Sequence, residues 1–320
     1  MTMTRRRFLF DSLLTTAALT VGCRPGDGAR APAYLPTSDR SVLDTLRGVP
    51  TSDGAGVRLT RVIGQSALRH LDPFLMLDHF HSDDPGAYMA GFPDHPHRGF
   101  ETVTVMLEGH MRHRDSQGNS GLILGAGSQW MTAGRGIIHS EMPEQERGLM
   151  SGFQLWVNLP AKQKMCAPYY QDLQPERLSE AKLSAAGSHV RLISGGLNGL
   201  VGPVRERPTE PLLFTLRLED DQPVEWDLPA EHTAFAFVHE GEVELGPEAK
   251  PKMVRRGDLA LLGTGRRLRV RARHQRSAVL VAAGRPLREP IVQRGPFVMN
   301  TEAEIQQALQ DYRDGVLDKA

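Results

Sequence analysis

Short apolar runs separated by Gly, Pro and Asp recur along the chain from Val57 onward, and they constrain its fold more than any other feature. Thr102-Val103-Thr104-Val105-Met106-Leu107, Gly121-Leu122-Ile123-Leu124 and Gly152-Phe153-Gln154-Leu155-Trp156-Val157 are of a length that suits strands better than helices. A second set runs through Pro211–Leu218, Ala234–Val238, Val243–Leu245, Leu259–Leu262 and Ala278–Ala282. The 22 prolines and 32 glycines supply the turns that such a series needs. The chain therefore reads as all-β. Only residues 301–314 differ: Thr301 and Glu304 form a capping box, and Ile305, Ala308, Leu309 and Tyr312 repeat at helical spacing. One short C-terminal helix is expected there.

The two sets of runs repeat each other faintly. Leu107-Glu108-Gly109-His110-Met111 corresponds to His239-Glu240-Gly241-Glu242-Val243, a strand running into Glu-Gly and then into another strand. Gly125-Ala126-Gly127 and Arg256-Gly257-Asp258 follow at comparable separations, which suits a duplicated barrel. A length of 320 residues fits about two domains. Three prolines punctuate Pro203–Pro211, a candidate connection between the halves. Lys plus Arg and Asp plus Glu stand at 38 each, so no net charge draws the chain to nucleic acid or to an anionic membrane. Two cysteines, Cys23 and Cys166, exclude a disulfide framework and a Cys-rich zinc ribbon.

The first segment reads as an address. Thr4-Arg5-Arg6-Arg7-Phe8-Leu9 precedes the apolar stretch Leu13–Val21, which is too short to span a bilayer as a standard helix. The order resembles a twin-arginine export signal, a bacterial device, although Asp11 departs from it. Two processing routes stay open. Gly22-Cys23 resembles the end of a lipoprotein signal, which would put a lipid on Cys23; cleavage at a small-residue site such as Ala31-Pro32-Ala33 is the other. Arg24–Pro36 reads as a tether, and the periplasm is the expected location. A twin-arginine route carries folded cargo.

His95-Pro96-His97 sets two imidazoles two residues apart, on one face of a strand. Glu101 is a further even step away and would share that face in a regular strand, although Gly99 intervenes. His139-Ser140-Glu141 is a second alternating pair. Brought together, the two pairs make a site of three histidines and one carboxylate, suited to Fe, Mn, Co, Ni, Cu or Zn. His232 and His239 are an odd step apart and His274 stands alone, so these read as structural or surface residues.

Longer motifs surround these pairs. Gly91-Phe92-Pro93-Asp94-His95-Pro96-His97-Arg98-Gly99-Phe100-Glu101-Thr102-Val103 and Gln129–Pro143 resemble the signatures of the pirin family. Leu71–Asp78, Leu155–Pro160 and Gly295–Thr301 are similar to further blocks of that family, so the resemblance covers nearly everything after the tether. It implies two tandem cupin β-barrels, a bicupin, with one metal, usually Fe(II), in the N-terminal barrel. By motif position the ligands fall on His95, His97, His139 and Glu141. The division expected is 1–36 signal and tether, 37–200 metal-binding cupin and 201–320 metal-free cupin ending in the helix, the whole a monomer.

The resemblance also carries two functions. Some pirins resemble quercetin 2,3-dioxygenases, which implies a flavonol and dioxygen as small-molecule partners. Glu141, as ligand and base, and Glu101, as base or as a carboxylate orienting a ligand, are the catalytic candidates. Animal pirins are linked to transcription as redox-sensitive iron proteins. An export signal argues against that role but leaves room for a non-catalytic, metal-dependent binding or sensing protein. Arg98, Arg135 and Arg147 receive no function, and Trp130 and Trp156 are expected to pack in the core or at the rim.

Overall fold

The structure is a computed structural model that describes residues 38–273 and 276–319. The expected signal, the tether, Cys23 and His274 lie outside the described residues.

The strands form two copies of one arrangement, and every ladder is antiparallel. In the first copy a seven-stranded sheet runs Tyr169–Leu173, Ser128–Thr132, Phe100–Glu108, Met150–Asn158, Phe74–Ser82, Val57–Ile63, Val49–Asp53. Its four-stranded partner runs Phe92–His97, Ile137–Pro143, Met111–Asp115, Ser120–Ile123. The second copy has the seven strands Val42–Arg47, Asp258–Leu262, Thr233–Glu240, Ser277–Gly284, Leu212–Leu218, His189–Ser194, Ser179–Lys182. The four are Val224–Asp227, Arg267–Ala272, Glu242–Leu245 and Lys252–Arg255. The faint Glu-Gly repeat marks equivalent corners: Gly109 and Gly241, both at positive φ, each turn a long strand into the opposite sheet.

The strands do not divide the chain at residue 200. Val42–Arg47 pairs with Asp258–Leu262, so the first strand belongs to the second barrel. His189–Ser194 pairs with Leu212–Leu218, so Pro203–Pro211 is a loop inside that barrel and not a link between halves. The C-terminal segment returns to the first barrel, where the Val298 amide donates to the Arg98 carbonyl. Sequence order hides such exchanges, because a sheet edge accepts any strand with free backbone groups.

The seven-stranded sheets pack face to face. Leu77, Val103, Val105, Trp130 and Phe153 of one meet Phe235, Phe237, Leu259 and Leu280 of the other. Each such side chain, fully buried, contributes about 1.5–3 kcal/mol of transfer free energy. The helix Glu302–Arg313 begins at the expected capping box, buries Ile305 and Ala308, and is tied to the first barrel by the Arg98–Asp311 ion pair at 2.6 Å. Arg98 is thus an anchor for the helix, and Trp130 is a core residue.

Candidate metal centre

Phe92–His97 is the edge strand of its sheet. An edge tolerates Pro93 and Pro96, whose missing N–H groups would break a central ladder. The alternation puts His95 and His97 on the inner face, and the register sets His139 of the neighbouring strand opposite His95. Ring centroids are separated by 4.4 Å for His95 and His139, 4.7 Å for His95 and His97, and 5.0 Å for His97 and His139. One donor atom from each of the three lies within 4.8 Å of the others.

Burial prepares these rings to ligate. It holds His97 and His139 well below the usual imidazole range, and the neighbouring imidazoles push in the same direction. Neutral rings present a lone pair to a cation. Nδ1 of His97 and both ring nitrogens of His139 are buried with no hydrogen-bond partner. Nδ1 of His95 lies 2.8 Å from the Pro93 carbonyl, which leaves Nε2 as its donor atom. Orphaned buried nitrogens are costly alone, and a shared metal ion would engage one nitrogen of each ring. The donor set therefore fits a transition metal.

Glu141 lines the same cavity but falls outside the 4.8 Å group. A register shift between His139 and Glu141 separates their placement. The Thr104 hydroxyl lies 2.9 Å from Glu141 Oε1 and 2.7 Å from Gln154 Oε1, and its single proton can serve one of them at a time. Gln154 Nε2 donates to Glu141 Oε2 at 2.9 Å. Each carboxylate oxygen keeps a second lone pair for a metal or for a substrate proton.

Glu101 is not brought to the cluster. Gly99, at φ +91°, turns the chain after His97, and Glu101 starts a different strand, Phe100–Glu108. A Cβ at Gly99 would stand 2.0 Å from the Val298 carbonyl oxygen, so only glycine fits this corner. Thr104 faces Glu141, so Glu101, an odd step away, faces the opposite side of the sheet. There it accepts from Thr132 at 2.7 Å and pairs with Arg207 at 3.4 Å, and burial pushes its carboxyl up. The expectation of a shared face assumed one continuous strand.

Four contributors were given no role in the site by the sequence alone. Thr104 and Gln154 hold Glu141. Trp156 lines the cavity 5.2 Å from the His97 ring and packs on Phe100 at 4.3 Å, so it forms a wall of the site as well as a packing contact. The fourth is Lys164, buried, whose Nζ donates to the Gly99 and Val298 carbonyls and to Asn158 Oδ1. Burial brings its pKa down to about 8. Periodicity marks Thr104 and Gln154 as inward positions, but nothing in the sequence says that Glu141 is their partner. Cys166 is half-buried and forms no disulfide among the described residues.

The cavity in front of the imidazoles holds about 560 Å³, with Met76, Phe80, Phe92 and Trp156 as apolar walls. Asp78 and Arg61, paired at 2.7 Å, supply a polar side. The C-terminal segment closes one flank with Gln293, Gly295 and Pro296. This is the size and character of a small-molecule site.

Two like barrels, with an imidazole cluster opening into a cavity of the first, define a bicupin. The pirin family profile matches residues 56–157, and that of the pirin C-terminal cupin domain matches residues 213–318. The chain belongs to the pirin family. A Pseudomonas aeruginosa protein whose name gives it, provisionally, as a quercetin 2,3-dioxygenase is 51% identical over 285 residues, covering 88% of this chain and 99% of its own. Human pirin is 43% identical, over 87% of this chain and 93% of its own. A crystal structure of quercetin 2,3-dioxygenase from Acinetobacter baumannii superposes with a TM-score of 0.80 at 32% identity, covering 87% of this chain and 98% of that one.

Proposed function

We propose that His95, His97, His139 and Glu141 hold one transition-metal ion, Fe(II) in the native protein, and that the site oxidises flavonols of the quercetin kind with dioxygen. The observation that carries this reading is the convergence of three imidazoles, two of them with buried unpartnered nitrogens, beside a cavity of about 560 Å³ that His95, His97 and Glu141 line. The quercetin 2,3-dioxygenase name of the A. baumannii relative supplies the substrate class. When bound, the metal supplies a Lewis-acidic, redox-active position for the flavonol oxygen and dioxygen.

The chain's own residues do the rest. Trp156, Phe92 and Phe80 line the cavity, where they would give a planar aromatic ligand apolar contact and exclude water from it. The Glu141 carboxylate accepts the proton of the flavonol 3-hydroxyl through a lone pair that Thr104 and Gln154 leave free. As Glu141 takes up that proton, the Thr104 hydroxyl turns to Gln154 Oε1, already 2.7 Å away. The net reaction opens the central ring and releases carbon monoxide.

Oxygen uptake with quercetin by iron-loaded protein, together with carbon monoxide release, tests the reading. Absence of both with the Fe, Mn, Co, Ni and Cu forms would leave a metal-dependent binding or sensing protein. We propose further that the protein is exported through Arg5 and Arg6. Replacing both with Lys should hold precursor in the cytoplasm, and normal export of that variant would refute this route. Loss of membrane association on Cys23→Ala would identify a lipid anchor; unchanged soluble protein would favour cleavage instead.

A further inference from the structure

The apolar interface between the barrels ends in a second group of imidazoles. His79 and His81 lie on Phe74–Ser82, on the opposite face from Asp78 and Phe80, and so point away from the metal cavity. His239 comes from Thr233–Glu240 of the other barrel. The His79 ring stacks on Phe153 at 4.9 Å, meets Phe237 edge-on at 5.6 Å, and lies 5.6 Å from His81 and 5.9 Å from His239. A cavity of about 520 Å³ opens over these rings, lined also by Arg47 and Arg256. It adjoins a second cavity of about 380 Å³, which shares His81, His239 and Arg256.

Two features separate this place from ordinary packing. Nε2 of His79, a residue only 9% exposed, and Nε2 of His239 are both buried without a hydrogen-bond partner. The charge is also uncompensated. Asp258 is taken by Arg47 at 2.9 Å and Glu240 by Arg276 at 3.0 Å, while Arg256 has no carboxylate partner among the described residues. Among those residues only His95, His97 and His139 bring donor atoms within 4.8 Å of one another, so this second cluster is too open to chelate one ion. A guanidinium beside it further disfavours a cation.

We propose that the junction cavity binds a tetrahedral oxyanion, either free phosphate or the phosphoryl group of a small metabolite, between Arg256, His79, His81 and His239. Arg256 provides the permanent charge, and Nε2 of His79 and of His239 provide N–H donors with no other partner, next to His81, whose Nδ1 is paired with Ser151 Oγ at 2.9 Å. Burial and the Arg256 charge keep His79 neutral in the empty site. An arriving dianion reverses that balance by favouring the protonated, doubly donating ring. The two barrels each contribute part of the site, so a bound anion would also clamp them together.

Titration of the metal-loaded protein with inorganic phosphate, at ionic strength fixed by sodium chloride, tests this by calorimetry and by imidazole NMR shifts. One saturable event is expected, weakened at least about tenfold by Arg256→Gln and by His239→Gln, and unchanged by Arg313→Gln on the distant helix. Arg256 is exposed, so its variant folds even if the buried histidines resist change. Glycerol 3-phosphate binding more tightly than phosphate would place a metabolite in the adjoining cavity, and equal binding would assign the free ion; either upholds the site. No saturable event in the parent, or one unaltered in both variants, overturns the proposal. So does a second equivalent of zinc(II) that His239→Gln removes and Arg256→Gln retains, which would make the cluster a metal site.

Discussion

Where Thr104 sits across from Gln154 in the first barrel, the same two strands of the second barrel pair Ala236 with Val281. Gln129, opposite Thr104, has Ala260 as its counterpart opposite Ala236. On the smaller sheets, His139 stands against His95, while the equivalent strands oppose Trp226 to Leu268 and Val224 to Val270. The second interior is a continuous apolar cluster through Phe214, Trp226, Leu268 and Val281. One backbone thus carries two interiors. The apolar one yields stability, since its side chains need no partners. The polar one must satisfy every buried donor and acceptor, and the nitrogens of His97 and His139 that it leaves unpaired belong to the proposed metal site. The second barrel and the C-terminal segment support the first: Arg98, the residue after His97, is held by Asp311.

The largest expected effect falls on the polar interior. His97→Ala should take metal content from about one equivalent per chain to none, because affinity depends on a full donor set. Elemental analysis of purified variant decides this; metal that persists would mean that the ligands, or the barrel, have been assigned wrongly. Next come the two carboxylates. Glu141→Gln should lower flavonol turnover by about a hundred- to ten-thousand-fold. Glu101→Gln, on the other side of the sheet, should leave metal content and turnover within about twofold. A strong rate loss in metal-replete Glu101→Gln would contradict its placement beside Arg207 and Thr132.

Exchanging interior character tests the comparison itself. Val281→Gln puts an amide without partners into the apolar barrel and should cost roughly 3 kcal/mol, read by urea denaturation. Gln154→Val in the first barrel removes a donor from Glu141 and should cost less stability while lowering metal affinity or turnover about ten- to a hundredfold, as loss of a ligand-orienting contact does. If Gln154→Val left both functions unchanged, Glu141 would need no orienting partner.

Much of this was legible in the sequence, for physical reasons. Strand positions follow from alternation and turn residues, and the helix from its Thr301 and Glu304 cap. The His-x-His and His-x-Glu pairs follow from the two-residue period. Three things were not legible. The exchange of Val42–Arg47 and of residues 292–319 between barrels is a long-range pairing that no local pattern encodes. The turn at Gly99 breaks the count from His97 to Glu101. The junction imidazoles come from strands far apart in sequence, so His239, read as structural or surface, is seen beside His79 and His81 only in the folded chain.

The smallest expected effect is a pH dependence at that junction. Burial holds His239 down to about 3, against an ordinary value of 6.5. Between those two values the unfolded chain binds a proton that the folded chain refuses. Stability is therefore complete above about pH 6.5 and falls on acidification through that window. One such group costs about 1 kcal/mol between pH 6.5 and 5.5. His79, also held well below the ordinary value by burial, adds in the same direction. Urea denaturation in phosphate-free buffer should show the His239→Gln variant losing less stability than the parent over this step, by about that amount. Metal ligands titrate identically in both proteins, so the difference isolates the junction from the first barrel. Equal slopes in parent and variant would mean that His239 is not a buried neutral ring, and would remove it from the contrast between the two interiors.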